Sequence, residues 1–291
     1  MSDLPYPEHL RTLVEEYLEG LRFGAGGPMD RLGEAMRYSL LAGGKRIRPV
    51  LTLATVESLG RPLPPALPTA AALELIHTYS LIHDDLPAID NDDLRRGKPT
   101  CHVVFGEDVA ILAGDGLFAE AFSLILERQE GSAGLKVAIL AEIARATGVG
   151  GVVGGQYIDI TSSDAGIVDL RQMHALKTGR LIEAAVVCGG LLGGLNGDSL
   201  RPYRAFAAEL GVLFQIVDDI LDVTGSDQQL GKTPGKDSQA GKATYVTQFG
   251  LRRARELADE ARVRTEVCLP RLSGRITGLR AVTAYVAGRE S

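Results

Sequence analysis

The sequence predicts an all-α fold, a single-domain bundle of about ten helices spanning residues 1–291. Three observations carry this. Apolar residues recur at spacings of three and four through most of the chain, alternating β-type runs are scarce, and no Ser/Gly/Pro-rich linker divides the 291 residues. No segment recurs with a fixed period, which argues against a solenoid.

The elements follow in order. Segment 9–21 repeats apolar residues at Leu10, Val14, Leu18 and Leu21 and stops at the glycines before Pro28. Segment 29–41 carries Leu32, Met36 and Leu40 and ends at Ala42-Gly43-Gly44. Pro49 opens segment 49–59, and Gly60 to Pro65 separates it from segment 67–84. Gly97-Lys98-Pro99 marks a turn before segments 109–129 and 135–146, and glycines between 148 and 155 punctuate the chain before segment 169–190. Segments 199–223 and 252–269 flank turn signals at 231–235. Several of these helices are apolar nearly all round and therefore central.

Composition narrows the function. A net charge of −6 lacks the footprint of a nucleic-acid binder, so any phosphate chemistry is confined to a site. Cys101, Cys188 and Cys268 are too few and too scattered for a disulfide framework or a zinc spacing, which points to a reducing compartment. The opening MSDLPYPEHL shows no secretory pattern, and the nearly uncharged stretch 184–195 is short and glycine-rich for a bilayer span. The expectation is a cytoplasmic protein without stable membrane insertion.

Two aspartate clusters stand out, Asp84-Asp85 with Asp90, and Asp218-Asp219 with Asp222, each embedded in apolar sequence. Carboxylates held against a core need a compensating cation. On a helix Asp218 and Asp222 lie about 40° apart, with Gln215 on the same stripe, while Asp219 points away as a hydrogen-bonding partner. Oxygen-only ligands suit a hard divalent ion such as Mg²⁺. Asp84 and Asp90 are six apart, about 120° on an ideal helix, and rely on a bend at Pro87 to meet. His77 and Ser80 share the face of Asp84 and form a polar stripe on an otherwise apolar helix, the pattern of a cavity wall. A lone buried histidine with a backbone partner is the bland alternative.

Basic residues group as Gly43-Gly44-Lys45-Arg46-Ile47-Arg48-Pro49 and Arg95-Arg96-Gly97-Lys98-Pro99. Glycine-flanked cations before a proline-initiated helix make a phosphate cradle, and Arg95 and Arg96 follow the first carboxylates closely enough to balance them. Gly231-Lys232-Thr233 fails the phosphate-loop spacing, and glycines 148–155 never satisfy the dinucleotide spacing.

With these residues assembled, the chain resembles the short-chain trans-prenyl diphosphate synthases, particularly the bacterial farnesyl diphosphate synthases. The motifs are GGKRIRP at Gly43, HTYSLIHDDLPAIDNDDLRRGKPT at His77, GGQYID at Gly154, KTG at Lys177, FQIVDDILD at Phe214, GKTPGKD at Gly231 and GKATY at Gly241. The resemblance implies a bundle around a deep central cavity, and a homodimer. It implies that Asp84, Asp90 and Asp218 hold three Mg²⁺ ions on the diphosphate of an allylic substrate. Arg95, Lys177, Lys232 and Lys242 would contact that diphosphate, and Lys45, Arg48, His77 and Arg96 would bind isopentenyl diphosphate. Lys177, Thr178 and Gln215 would stabilise an allylic carbocation.

In this family an aromatic residue five positions before the first motif, here Tyr79, stops elongation at fifteen carbons, which favours a farnesyl product over the geranylgeranyl alternative. On an ideal helix Ser80 faces the cavity more directly. A non-catalytic subunit of a heteromeric synthase is a further alternative, disfavoured because both acidic motifs and the lysines are present.

Overall fold

A computed structural model of the chain describes residues 5–24, 26–165, 169–224 and 243–289. Among these, eleven α-helices precede residue 225 and three follow residue 242. They are α1 (Glu8–Gly20), α2 (Asp30–Leu40), α3 (Ile47–Ser58), α4 (Leu67–Asp84), α5 (Cys101–Phe105), α6 (Glu107–Arg128), α7 (Ala133–Thr147), α8 (Val152–Ala165), α9 (Leu170–His174), α10 (Arg180–Leu192), α11 (Arg201–Thr224), α12 (Tyr245–Phe249), α13 (Leu251–Cys268) and α14 (Thr277–Gly288). The sheet content among the described residues is one antiparallel hairpin, β1 (Leu94–Arg95) and β2 (Lys98–Pro99).

Helix α4 is central because it is apolar on nearly every face: residues 70 to 76 are all buried. It packs along α6, which offers Ala110, Ala113, Gly114 and Ala121, small residues that let the two axes approach, around a buried Leu117. On its other side lies α3, which in turn packs on α10, where the Thr52 hydroxyl donates to the Ala185 carbonyl at 2.9 Å. Helix α11 completes the interior against α10 and α13, whose Ala254, Ala258 and Ala261 form a buried stripe. Truncating a fully buried aromatic here, such as Phe206→Ala, removes about 3–5 kcal/mol.

The described architecture is the all-α bundle that the periodicity predicts, with more pieces. Helices α5, α8, α12 and α14 were not anticipated. Helix α8 was hidden by its own glycines, which read as punctuation. The expected helix 169–190 is broken by a π-helical turn over Ala175–Gly179. By length and composition α6 could also cross a membrane, although its inner face is core against α4.

Candidate active site

The first acidic cluster forms where α4 ends. Beyond Asp84 the chain folds back on the helix terminus: the Asp90 amide donates to the Asp84 carbonyl at 2.9 Å, Asn91 to Leu86 at 3.1 Å and Asp92 to Asp85 at 3.1 Å. These bonds satisfy the last carbonyl of α4 and those of the two residues after it and return Asp90 to Asp84, with Pro87 at the exposed apex. The bend expected at Pro87 is therefore present. Burial pushes the Asp84 carboxyl up to about 6, with the Lys177 charge opposing and Asp90 and Asp85 reinforcing.

Asp85 turns the other way and is buried. Arg95 Nε donates to its Oδ1 and Oδ2 at 2.7 and 2.9 Å. Arg95 thus balances the cluster as the sequence suggested, through Asp85. The next two residues, Arg96 and Gly97, close the β1–β2 hairpin as a two-residue turn with positive φ at both positions. This turn swings Arg96 onto the Gly43 carbonyl and against Gly44, where a Cβ would meet its guanidinium. The two basic groups, half a hundred residues apart in sequence, become one cluster.

Within that cluster the four members of Lys45-Arg46-Ile47-Arg48 divide. Arg46 faces the core, correcting its inclusion in a phosphate cradle. It takes a left-handed backbone conformation, its side chain pairs with Glu15 at 2.9 Å and Glu74 at 2.7 Å, and it donates to the Leu40 carbonyl at 2.8 Å. Lys45 is exposed, with its ammonium 5.4 Å from the Tyr285 ring centroid, and its carbonyl accepts from the Tyr6 hydroxyl at 2.6 Å. Arg48 is buried with its Nε unpartnered, and its pKa is pushed down to about 10 by burial. His77 is pushed well below its usual range by burial and then by Arg48, Arg96, Arg95 and Arg46, so it is neutral near pH 7.

On α4, which is buried from Pro68 to Ile76, His77, Ser80 and Asp84 are partly exposed, and the Ser80 hydroxyl donates to the His77 carbonyl at 2.9 Å. The matching stripe on α11 is Phe214, Gln215, Asp218 and Leu221. Tyr79 instead lies in the α4–α6 interface, edge-on to Phe118 at 5.0 Å and to His83 at 5.7 Å, and Phe118 continues to Phe122 at 5.1 Å. These rings wall the α6 side of α4.

The π turn supplies the third component. A π bulge inserts an extra residue into the hydrogen-bond ladder and re-aims the side chains and carbonyls around it. Lys177 Nζ donates to Asp159 Oδ2 at 2.6 Å, and the Thr178 hydroxyl donates to Gln215 Oε1 at 3.0 Å. The charge of Lys177 reaches Asp84, and that of Asp218 reaches Arg48, so the two acidic motifs and the cations share one electrostatic site. Helix α8 approaches the turn at Gly155, where a Cβ would lie 2.3 Å from the Lys177 nitrogen.

On α11, the expected grouping of Gln215 with Asp218 and Asp222 needs correction. The Gln215 amide donates to Asp219 Oδ1 at 2.7 Å, one helical turn on, and Asp222 is buried. Asp219 is the hydrogen-bonding partner that the stripe geometry predicts. Asp218 lies in the site and meets the Arg289 guanidinium at 3.3 Å, which also sits 5.2 Å from the Phe214 ring. Lys232 and Lys242 lie outside the described residues.

The polyprenyl synthetase family profile matches residues 29–267. The chain belongs to the polyprenyl synthetase family. It is 46% identical over 266 residues to the chloroplastic geranylgeranyl pyrophosphate synthase of Catharanthus roseus, covering 90% of this chain and 74% of that relative. Its structure matches a geranyltransferase from Helicobacter pylori, solved with magnesium and isoprenyl diphosphate, at a TM-score of 0.89 and 29% identity over 98% of both chains. An FPP/GFPP synthase from Zymomonas mobilis gives 0.85 and 34% identity over 97% of both. The bundle is thus the isoprenoid synthase fold of this prenyltransferase family.

Motif reading gives several residues of the site no role. Asp159 and Gly155 belong to the GGQYID motif, whose partner Lys177 lies on another helix. Arg289 lies two residues from the end of the sequence, in a tail that carries no motif.

Proposed function

We propose that this chain condenses isopentenyl diphosphate with allylic diphosphates, dimethylallyl and then geranyl, releasing diphosphate and making farnesyl diphosphate. The observation that carries the reading is the convergence of both acidic motifs, the π turn and the Arg48–Arg96 cluster on one site. A site with carboxylates on two sides and two sets of cations suits two diphosphates, one held through metal and the other by cationic side chains.

The donor set fits Mg²⁺. Asp84 is a desolvated carboxylate next to other carboxylates, and Asp218 presents an oxygen into the site. Among the described residues no three acidic, imidazole or thiol groups gather as a closed cage. Mg²⁺ needs none, because it keeps waters and takes diphosphate oxygens. Asp84, Asp90 and Asp218 would hold three ions, which would supply Lewis-acid neutralisation of the leaving diphosphate.

The chain's own groups then divide the work. Lys177, held by Asp159, and Arg95, held by Asp85, place positive charge where the allylic C–O bond breaks and the electron pair leaves with diphosphate. Lys45, Arg48 and Arg96 hold the second diphosphate, and neutral His77 can donate a hydrogen bond to it. Gln215, Thr178 and carbonyls freed in the π turn turn negative dipole ends toward the allylic cation, and the apolar helix faces exclude water. The double bond of isopentenyl diphosphate attacks, and a proton then leaves to the departing diphosphate.

Product length rests on Tyr79, buried to 9% exposure against Phe118. Tyr79→Ala removes that ring from the wall, and chain products beyond fifteen carbons are expected. The test is product chromatography with geranyl diphosphate, isopentenyl diphosphate and Mg²⁺: farnesyl diphosphate from the native chain, longer products from Tyr79→Ala, and none after chelation. Geranylgeranyl product from the native chain would overturn the length assignment, and turnover surviving chelation the metal assignment.

We further propose a cytoplasmic homodimer. Exposed Val103, Val104, Ile111, Leu112, Val153 and Tyr157 on α5, α6 and α8 support an apolar contact with a second copy. Light scattering at twice the chain mass is the expected result.

A further inference from the structure

The middle carboxylate of the second acidic motif makes contacts that the proposed reaction does not use. The Asp218 side chain is 47% exposed, whereas that of Asp219 is 5% exposed. Both oxygens of Asp219 accept from the protein. Oδ1 takes the Gln215 amide at 2.7 Å, and Oδ2 takes the backbone N–H of Tyr245 at 2.8 Å.

These bonds have a directional consequence. An ionised carboxylate only accepts, so Asp219 selects the NH₂ end of the Gln215 amide. The carbonyl end, Oε1, is thereby turned to the π turn, where it accepts from the Thr178 hydroxyl at 3.0 Å. A carbonyl oxygen has two lone pairs, and one remains after Thr178 is satisfied. On the other side Tyr245 opens α12, the first described helix after residue 242, and its ring stacks on His174 at 5.6 Å and 19°. His174 immediately precedes the π turn. One buried carboxylate therefore ties together α11, the π turn and the start of α12.

We propose that Asp219 is a positioning residue: it orients the Gln215 carbonyl toward the reacting cation and pins α12 at Tyr245, and it does not ligate metal. This rests on the prenyl-transfer reading above. A dipole aimed at developing positive charge acts in the transition state and not on the diphosphate of the ground state. Its loss lowers kcat while leaving KM for both substrates in place.

The experiment compares the native chain with Asp219→Asn, Gln215→Ala and the double variant, using geranyl diphosphate, isopentenyl diphosphate and Mg²⁺. Asn has one accepting oxygen, so one of the two bonds is lost at nearly constant volume. Asp219→Asn is expected to lower kcat by about 10- to 100-fold with KM unchanged. A larger share of geranyl diphosphate should be captured by water as geraniol. The double variant should be no worse than Gln215→Ala alone, because the two residues act as a unit. The Mg²⁺ midpoint for thermal stabilisation in inorganic diphosphate should stay at the native value in Asp219→Asn and rise in Asp218→Asn.

An Mg²⁺ midpoint that rises in Asp219→Asn as in Asp218→Asn would make Asp219 a metal ligand and overturn the proposal. Additive losses in the double variant would overturn the coupling through Gln215. If Asp219→Asn does not fold, Asp219→Ala removes both acceptors without adding a charge, and the same loss of kcat at a native midpoint is expected; a native kcat there overturns the proposal. A native chain that releases no diphosphate overturns the reaction itself and this inference with it, whereas an active native chain with additive variants overturns the inference alone.

Discussion

At the scale of single residues the site is a set of charges that hold one another in reserve. Arg289 is the plainest case: its guanidinium lies 3.3 Å from Asp218 Oδ1 and over Phe214, while its Nη1 is buried without a hydrogen-bond partner. A guanidinium and a divalent ion compete for the same carboxylate lone pairs. The pair is partly exposed, so its worth is about 0.2–1 kcal/mol, or roughly a 1.4- to fivefold effect on a competing ion. Arg289→Gln is therefore expected to lower the Mg²⁺ midpoint for thermal stabilisation by roughly that factor. A midpoint unchanged or higher would show that Arg289 does not compete at Asp218. The sequence pointed to Asp218 because a helix fixes its angular relation to its neighbours. It could not point to Arg289, which reaches Asp218 only through the packing of α14 against α11.

At the scale of elements, the π turn at Ala175–Gly179 and helix α8 act together. Helix α8 can lie against the turn only because position 155 has no side chain: a Cβ there would sit 2.3 Å from the nitrogen and 2.5 Å from the Cα of Lys177. Both neighbours are backbone, so neither can rotate away. Gly155→Ala is expected to cost about 1–3 kcal/mol in folding stability, as overpacking does, and to move Asp159 off Lys177. Thermal melting and kcat measured on the same sample check this: a native melting temperature would show that α8 adjusts freely. The same glycines explain what periodicity missed. Gly154 and Gly155 read as a break because glycine weakens an isolated helix by about 1 kcal/mol relative to alanine. Here the packing they permit outweighs that preference. Helices α4 and α11 were legible because their polar stripes interrupt continuous apolar faces. The short helices α5 and α12 span five residues each, too few to show a period.

For the whole molecule, the site is a place where the fold opposes its own charges, and pH exposes this. The Asp84 carboxyl rises from 3.8 to about 6, chiefly because burial penalises its charged form. Between those values the folded chain holds more protons than the unfolded chain, so this group lowers stability as pH rises toward 6 and the cost persists above it. His77 and His174 work in the opposite sense. Their folded pKa values lie below 6.5, with His174 near 4, so stability is lost as pH falls and the unfolded chain takes up protons first. The native melting curve mixes these effects, and a comparison with Asp84→Asn separates them, since the amide is nearly isosteric and uncharged. In chelator, Asp84→Asn is expected to be more stable than the native chain at pH 8, by about 1–3 kcal/mol, and the difference should shrink to about 0.5 kcal/mol or less at pH 4. With Mg²⁺ and inorganic diphosphate present the order should reverse at pH 8, because only the native chain offers the carboxylate to the ion. Urea melts at the two pH values, each with and without Mg²⁺ and diphosphate, measure all four cases. A difference in chelator that stays constant from pH 4 to pH 8 would mean that Asp84 is not desolvated in the folded protein. Its place at the end of an apolar helix would then be a matter of packing, and the need for a cation that its sequence context implies would be gone.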